Sequence, residues 1–137
     1  MLRVVVDPNV IVSAAISPDG ATGRLIRMAL AGQFRIVVCP TLVQEASDVL
    51  SRSKLRRFVT ADAALELLAD IEGAAESFAD PATIEPVSRD REDDYLIALA
   101  TESRADRLVS GDADLLALSG HDPRILSPRQ LLDELAL

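Results

Sequence analysis

Four short runs punctuate the chain: LRVVV at residues 2–6, RIVVC at 35–39, RLVS at 107–110 and RIL at 124–126. Nearly unbroken apolar runs rich in β-branched residues mark strands covered on both faces, as in a parallel sheet. Residues 83–87 read either as a further strand or as an extended connection. Between these runs the apolar period becomes helical. Residues 23–30 form one helical stretch with Thr22 as its cap. Residues 40–50 place Leu42, Val43, Ala46, Val49 and Leu50 on one stripe. Residues 60–78 turn Ala64, Leu67, Leu68, Ile71, Ala75 and Phe78 inward and a row of acids outward. Residues 95–104, 113–118 and 128–135 complete the set. Strands that alternate with helices predict an α/β fold, a three-layer α/β/α sandwich around a mostly parallel central sheet of four to five strands. The length of 137 residues suits a single domain over residues 1–137.

Composition narrows the chemistry. The aromatic residues are Phe34, Phe58, Phe78 and Tyr95, so the core is aliphatic and there is little material for stacking bases. The net charge of −8 argues against a broad electrostatic grip on nucleic acid, because phosphate contacts need Lys and Arg. Cys39, the sole cysteine, sits in an apolar run and reads as a core residue; the absence of a cysteine framework fits a reducing cytosol. No apolar run approaches the ~20 residues of a membrane span, so the expectation is a cytoplasmic protein with no membrane partner.

The acids carry the functional signal. Ligands of an open α/β sheet bind beyond the carboxyl ends of its strands. Asp7 ends the first run, Glu45 lies just after the second, Asp112 and Asp114 follow the third, and Asp90, Glu92, Asp93 and Asp94 precede it. Taken singly, each has a bland reading. Asp7 before Pro8 is a helix cap with proline at the first helical position, Glu45 is a first-turn acid, and Asp112 is a second cap. Taken together, carboxylates gathered at one sheet edge raise one another's pKa unless a cation compensates. Oxygen ligands select hard ions, which points to Mg²⁺ or Mn²⁺. Rival chemistries lack their residues. The single histidine, His121, lies in a turn-like SGHDP and excludes a histidine triad. No glycine-rich phosphate loop is present. A phosphoacceptor receiver domain needs a lysine near its acids, and the sole lysine is Lys54. A haloacid-dehalogenase-like phosphatase needs Asp-x-Asp, where this chain has Asp7-Pro8-Asn9.

The segments VVVDPNVIVSA, CPTLVQEASDVL, DREDDYLIALA and LVSGDADLL resemble, in order and spacing, those of the PIN-domain ribonucleases, in particular the bacterial branch that supplies the toxins of toxin–antitoxin pairs. The resemblance spans nearly the whole chain. It implies a PIN-like fold, metal-dependent cleavage of RNA with Mg²⁺ or Mn²⁺, a cognate antitoxin and a possible homodimer. It also implies that Asp7, Glu45, Asp93 and Asp112 are the catalytic metal ligands. Asn9 would order the first acid or its water, and Ser110 would lend a hydroxyl. Asp94 is the next choice to Asp93, about 100° away around the helix. Asp90 would cap that helix, and Asp114 would support Asp112. Many relatives have Thr where Pro8 stands, so one hydroxyl contact is missing. Positive charge for RNA, or equally for an acidic partner, is offered by Arg24 and Arg27 and by Arg52, Lys54, Arg56 and Arg57. A PIN-like fold that serves only as a binding module is the alternative.

Overall fold

A computed structural model describes residues 1–87, 93–118 and 120–136. Five strands form one parallel sheet: β1 (Arg3–Val6), β2 (Arg35–Val38), β3 (Glu76–Ser77), β4 (Arg107–Val109) and β5 (Arg124–Leu126), in the order β3-β2-β1-β4-β5. The helices among the described residues are α1 (Pro8–Ile16), α2 (Ala21–Leu30), α3 (Pro40–Leu50), α4 (Ala61–Ala74), α5 (Asp94–Glu102), α6 (Ala113–Leu116) and α7 (Pro128–Leu135), with one 3-10 turn at Ser53–Leu55. The expected α/β architecture with a five-stranded parallel sheet flanked by helices is therefore present.

The order of strands explains the layers. The chain moves outward from β1 to β2 to β3, then crosses back to β4 and on to β5. Parallel crossovers are right-handed, so connections running in opposite directions put their helices on opposite faces. In keeping with this, α1, α2, α3 and α4 pack on one another, whereas α5 packs on β1 and β4. After β5 the chain returns, and α7 packs on α2. The central strand is covered twice, and Val4, Val5 and Val6 are fully buried. Phe34, Ile36, Leu42, Ile71, Leu99 and Leu108 extend the same core.

Local chemistry sets the element ends. Asp7 caps α1 and Thr60 caps α4 through their side chains, and Ser127 and Gln130 form a reciprocal capping box on α7. Gly32, just past α2, takes φ 84°, the left-handed value glycine adopts freely. Gly23 admits the incoming loop: a Cβ there would stand 2.1 Å from the Pro18 carbonyl oxygen.

Two expectations need correction, and the open reading of residues 83–87 is decided. α2 starts at Ala21, with Gly20 rather than Thr22 at the cap position. The helix expected over residues 60–78 stops at Ala74, and Glu76 and Ser77 become β3, paired with Val37 and Val38. Residues 83–87 form no strand, so β3 is the fifth. The apolar period runs on through Ala75 and Phe78, but edge pairing to β2 overrides it; the Phe78 amide donates to the Val38 carbonyl at 2.9 Å.

From β1, Arg3 reaches across β2 to secure that short edge strand. Its guanidinium donates to both Glu76 carboxylate oxygens, at 2.8 and 3.1 Å, and to the carbonyls of Ser103 and Arg104, at 2.7 and 3.0 Å. It also lies over the Phe78 ring, 5.6 Å from the centroid. A half-exposed ion pair alone contributes ~1 kcal/mol or less, but here two backbone carbonyls depend on the same group. Arg3→Ala is expected to lower unfolding free energy in urea by about 1–3 kcal/mol, and Glu76→Gln by clearly less. Equal losses in both variants would show that the carbonyl contacts contribute nothing.

Candidate active site

Strand order places a switch point between β1 and β4, the strands from which the chain departs in opposite directions. Asp7 stands at the carboxyl end of one, and Ser110 at the end of the other. Backbone pairing carries past both ends: the Asp7 amide donates to Val109 O at 2.9 Å, and the Ser110 amide to Leu126 O at 3.0 Å.

Asp7 is 2% exposed. Its Oδ1 accepts from the Asn9 amide at 2.9 Å and its Oδ2 from the Ser110 hydroxyl at 2.7 Å. The same hydroxyl oxygen accepts from the Asp112 amide at 2.9 Å, and Asp112 Oδ1 accepts from the Asp114 amide at 2.7 Å. Asp7 and Asp112 are thus joined through Ser110, and each caps the helix that follows it. The capping reading and the site reading describe the same two residues. Burial pushes the Asp7 pKa above its ordinary value. The Asn9 amide and Ser110 hydroxyl pull it down, and the charge of Asp112 pushes it up again.

Glu45 enters from α3. Its Oε2 accepts from the Tyr95 hydroxyl at 2.9 Å. The Tyr95 pKa is raised by burial first, then by Glu45, and also by Asp7, so the phenol stands within electrostatic reach of both acids. The aromatic count alone gave no role to Tyr95; no local sequence signal announces a partner fifty positions away. Asp93 occupies the cap position of α5 and makes no side-chain capping bond there. Asp94 is buried; its Oδ1 accepts from the Val87 amide at 3.3 Å, and it lines a cleft of about 280 Å³ with Ile97, Thr101 and His121. Asp90 lies outside the described residues, and Asp93 holds the cap position expected of it.

The donors suit a hard cation in kind, all being carboxylate or hydroxyl oxygen. In number they are split between the Asp7–Asp112 pair and Glu45. Among the described residues, no three acidic, histidine or cysteine side chains are grouped closely enough to hold one ion.

A PIN domain family model matches residues 3–114, which run from the first residue of β1 past Asp112. The chain belongs to the PIN domain family. PIN domains are generally nucleases and usually use divalent metals. An uncharacterized protein of Methanocaldococcus jannaschii, MJ1680, is 24% identical over 97% of this chain and 91% of its own length. The crystal structure of PAE2754 from Pyrobaculum aerophilum superposes with a TM-score of 0.64, covering 98% of this chain and 90% of that one at 18% identity. This match shows the shared fold.

A cleft of about 300 Å³ opens beside Asp112 in this PIN domain, walled by Asn9, Val10, Ser13, Thr22, Gly111 and Pro128, with a 3.1 Å hydrogen bond from the Thr22 hydroxyl to that of Ser13. The basic residues stand apart from it. Arg24 and Arg27 line a shallow hollow with Met28 and Gln33, and Arg27 also donates to the Pro18 carbonyl. From Glu45, α3 runs on to Leu50, ~8 Å of helix axis toward the opposite edge of the sheet, and Arg52 lies just past its end. There Arg56 donates to the Leu50 carbonyl, and Arg57 lies 5.1 Å from the Phe58 ring centroid.

The electrostatics of Asp7 has a thermodynamic consequence. A carboxyl whose pKa is raised in the fold destabilises the folded protein when ionised, and that penalty fades as pH falls through the folded and then the unfolded pKa. Asparagine caps as well as aspartate. In EDTA at neutral pH, Asp7→Asn should melt at the same temperature as the wild type or higher, and the gap should close as pH drops below the ordinary aspartate value. A lower melting temperature at neutral pH would show that the ionised group stabilises the fold.

Proposed function

We propose that this PIN domain is an endoribonuclease that hydrolyses RNA phosphodiester bonds with Mg²⁺ or Mn²⁺, held by Asp7, Glu45, Asp93 and Asp112. The observation that carries this reading is the Asp7–Ser110–Asp112 group at the switch point: the Ser110 hydroxyl bonds the Asp7 carboxylate and the Asp112 amide beside a cleft at the place where open α/β sheets bind ligands. When bound, a divalent ion supplies a Lewis acid for a phosphoryl oxygen and a lowered pKa for water. The chain's own residues do the rest. Ser110 fixes Asp7 against Asp112, and the backbone amides of Asn9 and Asp114 orient their carboxylates. Glu45, the exposed acid of the set, would accept the proton of the attacking water. Asn9, Ser13 and Thr22 offer hydrogen bonds to a nucleotide entering the cleft. That recognition needs no aromatic stacking, which suits a chain with few aromatic residues.

The toxin role in a toxin–antitoxin pair belongs to the same proposal. The partner antitoxin would cover the acidic pocket with an arginine on its carboxylates, and Arg24, Arg27, Arg52, Lys54 and Arg57 would meet RNA or the acidic part of that partner. The cytoplasm is the compartment this role requires, and among the described residues no helix is long and apolar enough to cross a membrane. A second reading, a binding module without catalysis, is favoured by the separation of the acids: no three share one ion's reach among the described residues.

The two readings part in one assay. A mixed RNA pool is incubated with the protein in Mn²⁺, in Mg²⁺ and in EDTA, beside Asp7→Asn. The nuclease reading expects cleavage that EDTA abolishes. Asp7→Asn should lower it by at least the ~100-fold that loss of a ligand's hydrogen-bond partner can cost. Absence of cleavage in every arm, with the protein folded, supports the binding module instead.

A further inference from the structure

α4 turns Ala64, Leu68 and Ile71 into the core, yet its outer surface is not uniformly polar. Leu65 is 64% exposed, the one large apolar side chain left open on a helix among the described residues. Ala61 and Ala69 lie one turn either side of it, within about 40° around the helix, and both are exposed. This stripe borders a groove of about 150 Å³ between α3 and α4, lined by Leu50, Ala64, Leu65 and Leu68, with Ser47 and Arg56 beside them. Phe58, in the turn before α4, is 52% exposed.

A lone exposed leucine is ordinary on a protein surface. Here one face carries both a projecting leucine and an apolar groove. Those are the two halves of an isologous contact, in which each copy receives what the other projects.

The charges on the face select its occupant. Arg52, Lys54 and Arg57 are exposed ahead of α4, and Glu66 and Glu72 are exposed on its later turns. Glu72 falls within about 20° of Leu65 around the helix and ~10 Å further along it. The face therefore runs from basic at the amino end of α4 to acidic at its carboxyl end, across an apolar middle. Asp62 alone breaks the gradient, as a first-turn acid that the helix dipole favours. RNA or an acidic protein laid on the three basic residues would also meet the carboxylates beyond them. A second copy laid antiparallel sets each basic end on an acidic end, which fixes the register as well as attracting the partner.

We propose that the α4 face docks a second copy of this chain about a two-fold axis near Leu65. Leu65 of each copy enters the α3–α4 groove of the other, and Arg52, Lys54 and Arg57 stand against Glu66 and Glu72 of the other copy. The carboxylates beside them turn those three from RNA or an acidic protein toward a second copy; Arg24 and Arg27 keep the other role. The inference is independent of the nuclease reading and uses none of its acids.

The test is sedimentation velocity on the full chain in EDTA across a wide range of concentration, with the folding of every variant checked by circular dichroism. The wild type should form a dimer. Leu65→Glu places a charge in the apolar middle and should leave a folded monomer. Lys54→Glu with Arg57→Glu makes the face predominantly acidic, and Glu66→Lys with Glu72→Lys makes it predominantly basic. Each pair should raise the dimer dissociation constant at least ~100-fold, because like charges then meet. An equimolar mixture of the two double variants should dimerise again, since both ends of one chain then suit both ends of the other. A monomeric wild type, or a dimer that all these substitutions leave intact, overturns the proposal. A mixture that stays monomeric overturns the two-fold arrangement. A wild-type monomer whose gel shift of single-stranded RNA is lost in Lys54→Glu with Arg57→Glu overturns it as well, and gives the basic turn to RNA.

Discussion

A carboxylate buried at the junction of β1 and β4 is the constraint on which the C-terminal edge of this fold depends. Asp7 is 2% exposed, and burial of its charge is opposed by solvation. Two donors answer that cost, the Asn9 amide and the Ser110 hydroxyl. Each belongs to a different piece of the chain, so the same bonds that hold the charge also hold α1 to β1 and β4 to β1. Ser110 is fully buried and serves both acids, donating to Asp7 and accepting from the Asp112 amide. The central strand pair, the caps of α1 and α6 and the acidic pair are one hydrogen-bonded unit.

That unit remains electrostatically unbalanced. Its two donors lower the Asp7 pKa, but burial and Asp112 prevail and leave it raised. A divalent cation is the natural counterweight, and the PIN domain family usually uses one. Glu45 is tied to the opposite layer by Tyr95, a bond that spans the sheet edge and brings a third acid within electrostatic range of the same phenol as Asp7. Acids held apart by rigid donors repel one another less.

Much of this was legible in the residues. Runs such as VVV and RIVV announce buried parallel strands because period and β-branching act locally. The Asp-Pro pair announces a cap for a local reason as well, since the Asn9 amide that Asp7 accepts is two residues away. What failed was non-local. Glu76 and Ser77 look like the tail of an amphipathic helix; they form a strand because β2 offers an open edge and Arg3 waits for the glutamate. Tyr95 looks like core filler, and its hydroxyl has a purpose only once α5 and α3 flank the same strand ends. Asp93 and Asp94 are neighbours that a helix must separate by about 100°. The bond from the Val87 amide draws Asp94 toward the side cleft, a contact that no spacing rule foretells. The basic run near Arg52 could not be located by composition, because only the direction of α3 carries it away from the acids.

The most direct measurement of the central claim is anomalous diffraction from crystals grown or soaked in Mn²⁺. The expected result is a peak at the carboxyl ends of β1 and β4, with oxygens of Asp7 and Asp112 about 2.0–2.3 Å away and the Glu45 carboxylate joined to the same ion. A peak elsewhere, or none at this edge with Mn²⁺ at millimolar concentration, would show that the buried pair is a structural brace between strand and cap rather than a metal centre.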